Sequence, residues 1–188
     1  MDRFSRLSKE KRILWSMLTV SVIGGFLFAT YQARVHSKQN SPNATVWRAI
    51  LSANPAFSFS LPSNARHTVE GERNMFSSEG ANQNFYTVTV VTYPTKTATV
   101  DVVKIELEKL VGARSQNQLF ETETTSLGGR EATTFLIQDF DSGWYTRGYI
   151  VEDDDVVYTL AALYPQSVFD ATSYEKFIES FTLGKVEL

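Results

Sequence analysis

Cysteine is absent from this chain of 188 residues, and several chemistries go with it. Disulfides, thiol nucleophiles, thiolate-bound zinc and a lipidated N-terminal cysteine are all excluded. Histidine is scarce. His36 lies in a polar spacer and His67 beside a strand turn, neither with a second histidine at ligand spacing. No GxSxG elbow, no GxxxxGK phosphate loop and no DxDxDG calcium loop occurs. Gly128-Gly129 reads as a turn between strands, because no helix follows to cradle a phosphate. A Ser-His-Asp arrangement could use only His67, which reads as a surface bystander. Positive charge is also in short supply. Net charge is −3; residues 1–31 hold five basic and two acidic side chains, or +3, which leaves −6 for the remainder. A domain of that sign repels phosphate backbones, which disfavours a nucleic-acid partner.

ILWSMLTVSVIGGFLFATY, Ile13–Tyr31, is apolar for most of its length and contains no charged residue. As a helix, ~19 residues span roughly 28 Å, close to the ~30 Å of bilayer hydrocarbon. Trp15 and Tyr31 stand near its ends, where amphipathic rings favour the interface. Five basic residues precede it, so the positive-inside bias keeps the N-terminus cytoplasmic. A cleaved signal peptide would need a small-x-small pair after the run; around Phe28–Ala33 there is none. The expected organisation is a cytoplasmic tail at 1–12, a transmembrane signal anchor at 13–31, a linker at 32–54 and a domain at 55–188. The chain would sit once in the cell inner membrane with its domain on the periplasmic side. Asn43-Ala44-Thr45 matches a glycosylation acceptor, which has meaning only in a eukaryotic lumen. Val46, Trp47, Ile50 and Leu51 form an apolar cluster, read as a helical turn on the domain or an interfacial contact.

The domain reads as α+β. FSFSLP, Phe57–Pro62, alternates and stops at proline, a short strand with HTVEGE as its hairpin partner. RNMFSSEGANQ, Arg73–Gln83, is polar and reads as a loop, whereas Asn84–Tyr93 is β-branched and aromatic, a central strand. Thr99–Arg114 shifts to helical period, with Val100, Val103, Leu107, Leu110 and Val111 on one face and Val102 and Ile105 off it. Strands follow at about Gln118–Leu127, Glu131–Phe140, Trp144–Glu152 and Val156–Tyr164. A closing helix at about Asp170–Ser180 carries the stripe Tyr174, Phe177, Ile178, Phe181. Consecutive strands at hairpin spacing between helices predict a mainly antiparallel sheet flanked by helices.

The triplet Asp153, Asp154, Asp155 falls between two such strands. Asp tolerates left-handed backbone and bonds its own chain, so the triplet reads as a turn. A hard-cation site helped by Asp139, Asp141 and Glu152 is the rival, but calcium wants six to eight oxygens converging on one point. The acidic tip could still contact a basic protein partner. Trp144, Tyr145, Tyr149, Tyr158 and Tyr164 read as sheet packing; Trp144, Tyr149 and Tyr158 are the candidates for an apolar groove.

Taken in order, FSFSLP, NFYTVTVVTYP, LGGREATTF, RGYIVEDDDVVYTLAALYP and FIESFTL resemble the PsbP-like superfamily, including its bacterial envelope members of unknown function. The matching positions are Phe57, Phe59, Leu61, Pro62, Gly129, Arg147, Tyr149, Val151, Val157, Tyr158, Leu160, Phe177, Ser180 and Phe181. The resemblance implies an α/β/α sandwich serving as an accessory or binding module, not an enzyme. It brings no cofactor and no metal site, since nothing here matches the metal-binding histidine of photosystem-associated members. Unlike the envelope lipoproteins, this chain lacks a lipobox cysteine, so a membrane helix would do the tethering. The expected function is a membrane-anchored accessory domain contacting a protein partner; a small-molecule or lipid carrier is the alternative, and a hydrolase a weaker one.

Overall fold

The computed structural model describes residues 46–93 and 101–184. The basic tail, the Ile13–Tyr31 span, His36 and Asn43-Ala44-Thr45 lie outside the described residues. Among the described residues, no helix is long and apolar enough to cross a membrane. Among the described residues, 46–93, 101–111 and 116–184 form one compact unit. Its strands in chain order are β1 (Trp47–Ala53), β2 (Ala56–Pro62), β3 (Arg66–Glu70), β4 (Arg73–Glu79) and β5 (Phe85–Thr92). Helix α1 (Val102–Gly112) follows, then β6 (Asn117–Leu127), β7 (Arg130–Asp139), β8 (Trp144–Asp153) and β9 (Val156–Pro165), then helix α2 (Ala171–Glu179) and the short β10 (Thr182–Leu183).

A seven-stranded antiparallel sheet runs β3-β4-β5-β9-β8-β7-β6, and a three-stranded one runs β1-β2-β10. The two apolar strands β5 and β9 pair at the centre of the large sheet, with Tyr86 opposite Ala162, Val88 opposite Leu160 and Val90 opposite Tyr158. Alternation sends these six residues to one face and Val91, Val157 and Ala161 to the other. On the first face the small sheet and α2 bring Phe57, Phe59, Leu61, Phe177, Ile178 and Phe181 against them. On the second, α1 lays Val102, Val103, Leu107 and Leu110 over Phe135, Ile137, Ile150, Val157 and Ala161. Asp170 caps α2, its carboxylate accepting from the Ser173 amide at 3.0 Å.

The antiparallel α+β architecture expected from the sequence is present, and β6 to β9 and α2 begin and end within one residue of the expected limits. Four expectations are corrected. Trp47–Ala53, placed in the linker, is strand β1, because Ile50 and Ser52 face the same way as Phe59 and Phe57 across the β1–β2 ladder. HTVEGE does not pair with FSFSLP; β3 pairs with β4. Arg73–Glu79 is that strand and no loop, its polar side chains being compatible with a place one strand in from the sheet edge. One outer layer is a small sheet plus a helix, not helices alone.

Thr159 of β9 is buried on the α1 side, and its hydroxyl has no hydrogen-bond partner. A buried unpaired hydroxyl carries a desolvation penalty of ~1–3 kcal/mol. Thr159→Val keeps the shape and removes the hydroxyl. It should raise stability by about 1 kcal/mol, read as a later midpoint in urea unfolding.

Candidate functional site

The acidic triplet closes the β8–β9 hairpin. Asp153 is opposite Val156, and Asp154 takes the left-handed φ of 55° that Asp accepts with little strain. Arg130 donates to the Asp153 carboxylate at 2.7 Å, and the Asp155 carbonyl accepts from the Tyr93 amide at 2.7 Å. The proposed helpers stand elsewhere. Asp139 is buried at the far end of β8, nine residues along and so about 30 Å away by strand rise. There it accepts from the Asp141 amide at 3.0 Å and the Ser142 hydroxyl at 2.6 Å, closing the β7–β8 turn. Glu152 projects to the opposite face from Asp153, as adjacent strand residues must. These carboxylates therefore do not converge on a cation.

The three groove aromatics are also separated. Tyr158 is fully buried, its ring 5.4 Å from Phe57 and 5.6 Å from Phe181. Tyr149 shares that face at its half-buried margin. Trp144 points to the α1 side, 5.8 Å from Phe85. What gathers instead is Tyr145, Tyr164, Phe169 and Tyr174 in a chain of ring contacts at 6.0, 4.4 and 5.5 Å, with the Arg147 guanidinium 5.9 Å from Phe169. His67 is exposed, its ring stacked on Phe76 at 4.2 Å, and Nε2 lies 3.3 Å from Asn74 Oδ1.

One charged cluster escaped the sequence reading. Glu106 of α1 is 2 % exposed. Arg73 of β4 donates to it at 3.1 Å, Lys109 at 2.7 Å and the Tyr93 hydroxyl at 2.5 Å. Burial lowers the Lys109 pKa, but the hydrogen bond and charge of Glu106 outweigh it and the net shift is upward. Tyr93 is raised as well, by burial first and then by its bond to Glu106. A carboxylate engaged by three donors is tied, not poised as a base. The cluster clamps α1 to the sheet. It also turns the helix: Val102 and Glu106 form the inner line, and Val102, expected off the packed face, is buried.

The margin of the large sheet is more open. Of β6, only Asn117 and Leu127 are half-buried and the rest is exposed, and its outer edge carries no further strand among the described residues. A register shift between Leu119 and Glu121 leaves Phe120 as the extra residue of a bulge. Leu119, Phe120 and Phe140 are 44 %, 52 % and 50 % exposed, with the Phe120 and Phe140 rings 6.0 Å apart. Glu121 and Glu123 follow along the same strand, and Arg147 lies 4.0 Å from Glu121. An unpaired edge beside exposed aromatics is a template for adding a strand.

No protein-family model matches the chain, and no curated protein matches it in sequence. Solved structures do. A protein from Bacteroides thetaiotaomicron is 12 % identical with a TM-score of 0.47, over 73 % of this chain and 48 % of its own. A Pseudomonas aeruginosa protein of unknown function is 12 % identical with a TM-score of 0.40, over 64 % of this chain and 84 % of its own. The solution structure of cyanobacterial PsbP from Synechocystis aligns with 79 % of this chain and 99 % of its own length, at 14 % identity and a TM-score of 0.56. With its central antiparallel sheet packed on both faces and its closing helix, the domain has a PsbP-like fold.

Proposed function

We propose that this chain is a membrane-tethered, extracytoplasmic accessory module that binds a protein partner along the outer edge of β6, and that it is not an enzyme. The observation that carries the reading is the unpaired β6 edge with Leu119, Phe120 and Phe140 exposed beside it. The likeness to cyanobacterial PsbP supports an accessory role. Glu121 and Glu123 favour a partner segment that is extended and basic. The uncharged Ile13–Tyr31 run supports the tether, which would hold the domain at high effective concentration near an envelope complex, so that weak contacts suffice. Neither a cofactor nor a nucleic acid enters this reading. The carrier alternative loses its footing because Tyr158 is buried and Trp144 faces away from Tyr149.

A photo-crosslinking residue tests the surface in intact cells. Placed at Phe120, it should give a discrete heavier adduct containing a second protein; placed at Val69 on the opposite sheet edge it should not. An adduct at Asp154 and none at Phe120 would return the contact to the acidic turn and remove the edge.

A further inference from the structure

The small sheet ends at β1, and that edge is built unlike the two edges of the large sheet. Edge strands are ordinarily blunted by charge, bulges or shortness, which keeps them from pairing with other chains. β6 has Glu121, Glu123 and a bulge, and β3 carries Arg66, His67 and Glu70 within five residues. β1 reads WRAILSA, seven residues with one charge, no proline and an unbroken register against β2. Its outer edge carries no further strand among the described residues. The bonds of β2 fix where the backbone of β1 points. The Ser60 amide donates to Ser180 Oγ at 2.8 Å and the Ala56 carbonyl accepts from the Gly184 amide at 3.1 Å, both on the β10 side. Ladder bonds alternate along an antiparallel strand, so Phe57, Phe59 and Leu61 bond β1 instead, through Ser52, Ile50 and Arg48. The Ser63 amide, donating to the Val46 carbonyl at 2.8 Å, keeps that alternation. The amides and carbonyls of Trp47, Ala49, Leu51 and Ala53 therefore point out of the sheet. Ala49, Leu51 and Ala53 are exposed, Leu51 by 51 %.

We infer that β1 pairs antiparallel with β1 of a second copy of this chain, about a twofold axis at Ile50. The strand is complementary to itself in that register. Trp47 falls opposite Ala53 of the second copy and Ala49 opposite Leu51, so every outward amide and carbonyl of β1 is bonded. Each large side chain on this row meets an alanine, and the Trp47 ring keeps its place 5.4 Å from Tyr86, with Lys176 Nζ 5.2 Å from it. Arg48, the one charge of the strand, falls opposite Ser52 and not opposite its own copy. The half-buried Ile50 meets Ile50 in a non-bonded pair, where cross-strand side chains approach closest. Moving the axis to Ala49 leaves Ala53 without a partner in β1, and moving it to Leu51 leaves Trp47 without one. A twofold contact of this kind closes on itself and stops at the dimer. The inference does not depend on the tether or on the β6 contact proposed above.

The chain has no cysteine, so single thiols report the register directly. Antiparallel partners hold their Cα atoms about 4.5 Å apart in non-bonded pairs and about 5.5 Å apart in bonded ones, both within disulfide reach. Full-length variants are expressed in cells, oxidised with copper phenanthroline before lysis and read on non-reducing gels, with mass spectrometry of the product. Ile50→Cys should form a disulfide with its own copy. Arg48→Cys and Ser52→Cys should each stay monomeric alone, their own copies being about 13 Å away, and join when co-expressed. Ala49→Cys and Leu51→Cys, both at exposed positions where the fold tolerates the change, should join likewise. Leu51→Lys in the Ile50→Cys background sets two ammonium groups diagonally across the axis and should slow that cross-link about tenfold. Three outcomes overturn the inference: no disulfide at 50 and none from the 49 and 51 pair, cross-linking of 48 or 52 alone as readily as in the mixture, or a product at 50 that contains another protein, which would give this edge a different partner.

Discussion

Gly148→Ala should lose about 3 kcal/mol of stability or more, the upper end of what overpacking a well-filled core costs. Gly148 lies in β8 between Phe135 of β7 and Ala161 of β9. A Cβ built on it would stand 1.9 Å from the Leu160 carbonyl oxygen, 2.8 Å from Phe135 Cζ and 3.0 Å from Ala161 Cα. The first and third of these are backbone atoms of the central strand, which cannot swing aside as a side-chain tip can. The missing side chain at 148 lets the Phe135 ring lie across the ladder beneath α1, with the small Ala161 beyond it. A methyl group there must push β8 from β9 or drive Phe135 into the helix. Gly112→Ala is the control: the added Cβ would meet nothing within 4 Å, and alanine in a helical residue's place should be neutral or gain up to about 1 kcal/mol. Unfolding free energies of the two variants within about 0.5 kcal/mol of each other, read from denaturant titrations, would mean that the β7-β8-β9 register is wrong.

How far the sequence foretold this fold depends on whether each segment's own residues determine its place. β9 reads VVYTLAALYP and is buried on both faces, so β-branched and aromatic content alone identifies it. α2 shows its stripe because only one side of it is covered. β4 was missed because RNMFSSE is polar; it is a strand through its ladders with β3 and β5, which are tertiary partners and not a property of the segment. β1 was missed for a related reason: Trp47, Ile50 and Ser52 are only half-buried against β2, and the pairing depends on the Asn54-Pro55 turn reversing the chain. The α1 face was misaligned because its centre is Glu106, a charged residue that periodicity counts as outward; Lys109 three residues on was the single local signal of its pairing. At the candidate site, the Asp153–Asp155 turn was legible, since turn chemistry is local. The Phe120–Phe140 pair was not, because it joins residues whose proximity is made by the fold and not by the segment's own residues.

Alkali should unfold this domain through its buried phenols. Burial pushes Tyr86 up to about 12 from 10.0, with the bond to Ser173 opposing and the charge of Asp170 adding. Burial likewise pushes Tyr158 up to about 12, and the carboxylates of Asp153 and Asp155 add to it. Tyr164 and Tyr174 move the same way, burial again leading. Below pH 10 these phenols are neutral folded and unfolded, so their stabilising packing is fully present. Above it the unfolded chain sheds protons that the folded one keeps, fewer protons are bound in the unfolded state, and unfolding free energy falls as pH rises. The loss continues to the folded value near 12, and at 1.36 kcal/mol per pH unit it comes to about 2.5 kcal/mol for each of Tyr86 and Tyr158, an upper figure. The two together, about 5 kcal/mol at most, are comparable to the lower end of an ordinary domain's ~5–15 kcal/mol. Denaturant midpoints should therefore be flat to pH 10 and fall steeply towards 12. Tyr158→Phe, which keeps the ring between Phe57 and Phe181, should make that fall shallower by the Tyr158 share, at most about 2.5 kcal/mol. Phenolate absorbance that develops in full near pH 10 while the β-sheet circular dichroism persists would show that these hydroxyls are reached by water in the folded state, and the packing of α2 and β2 over β9 would have to be redrawn.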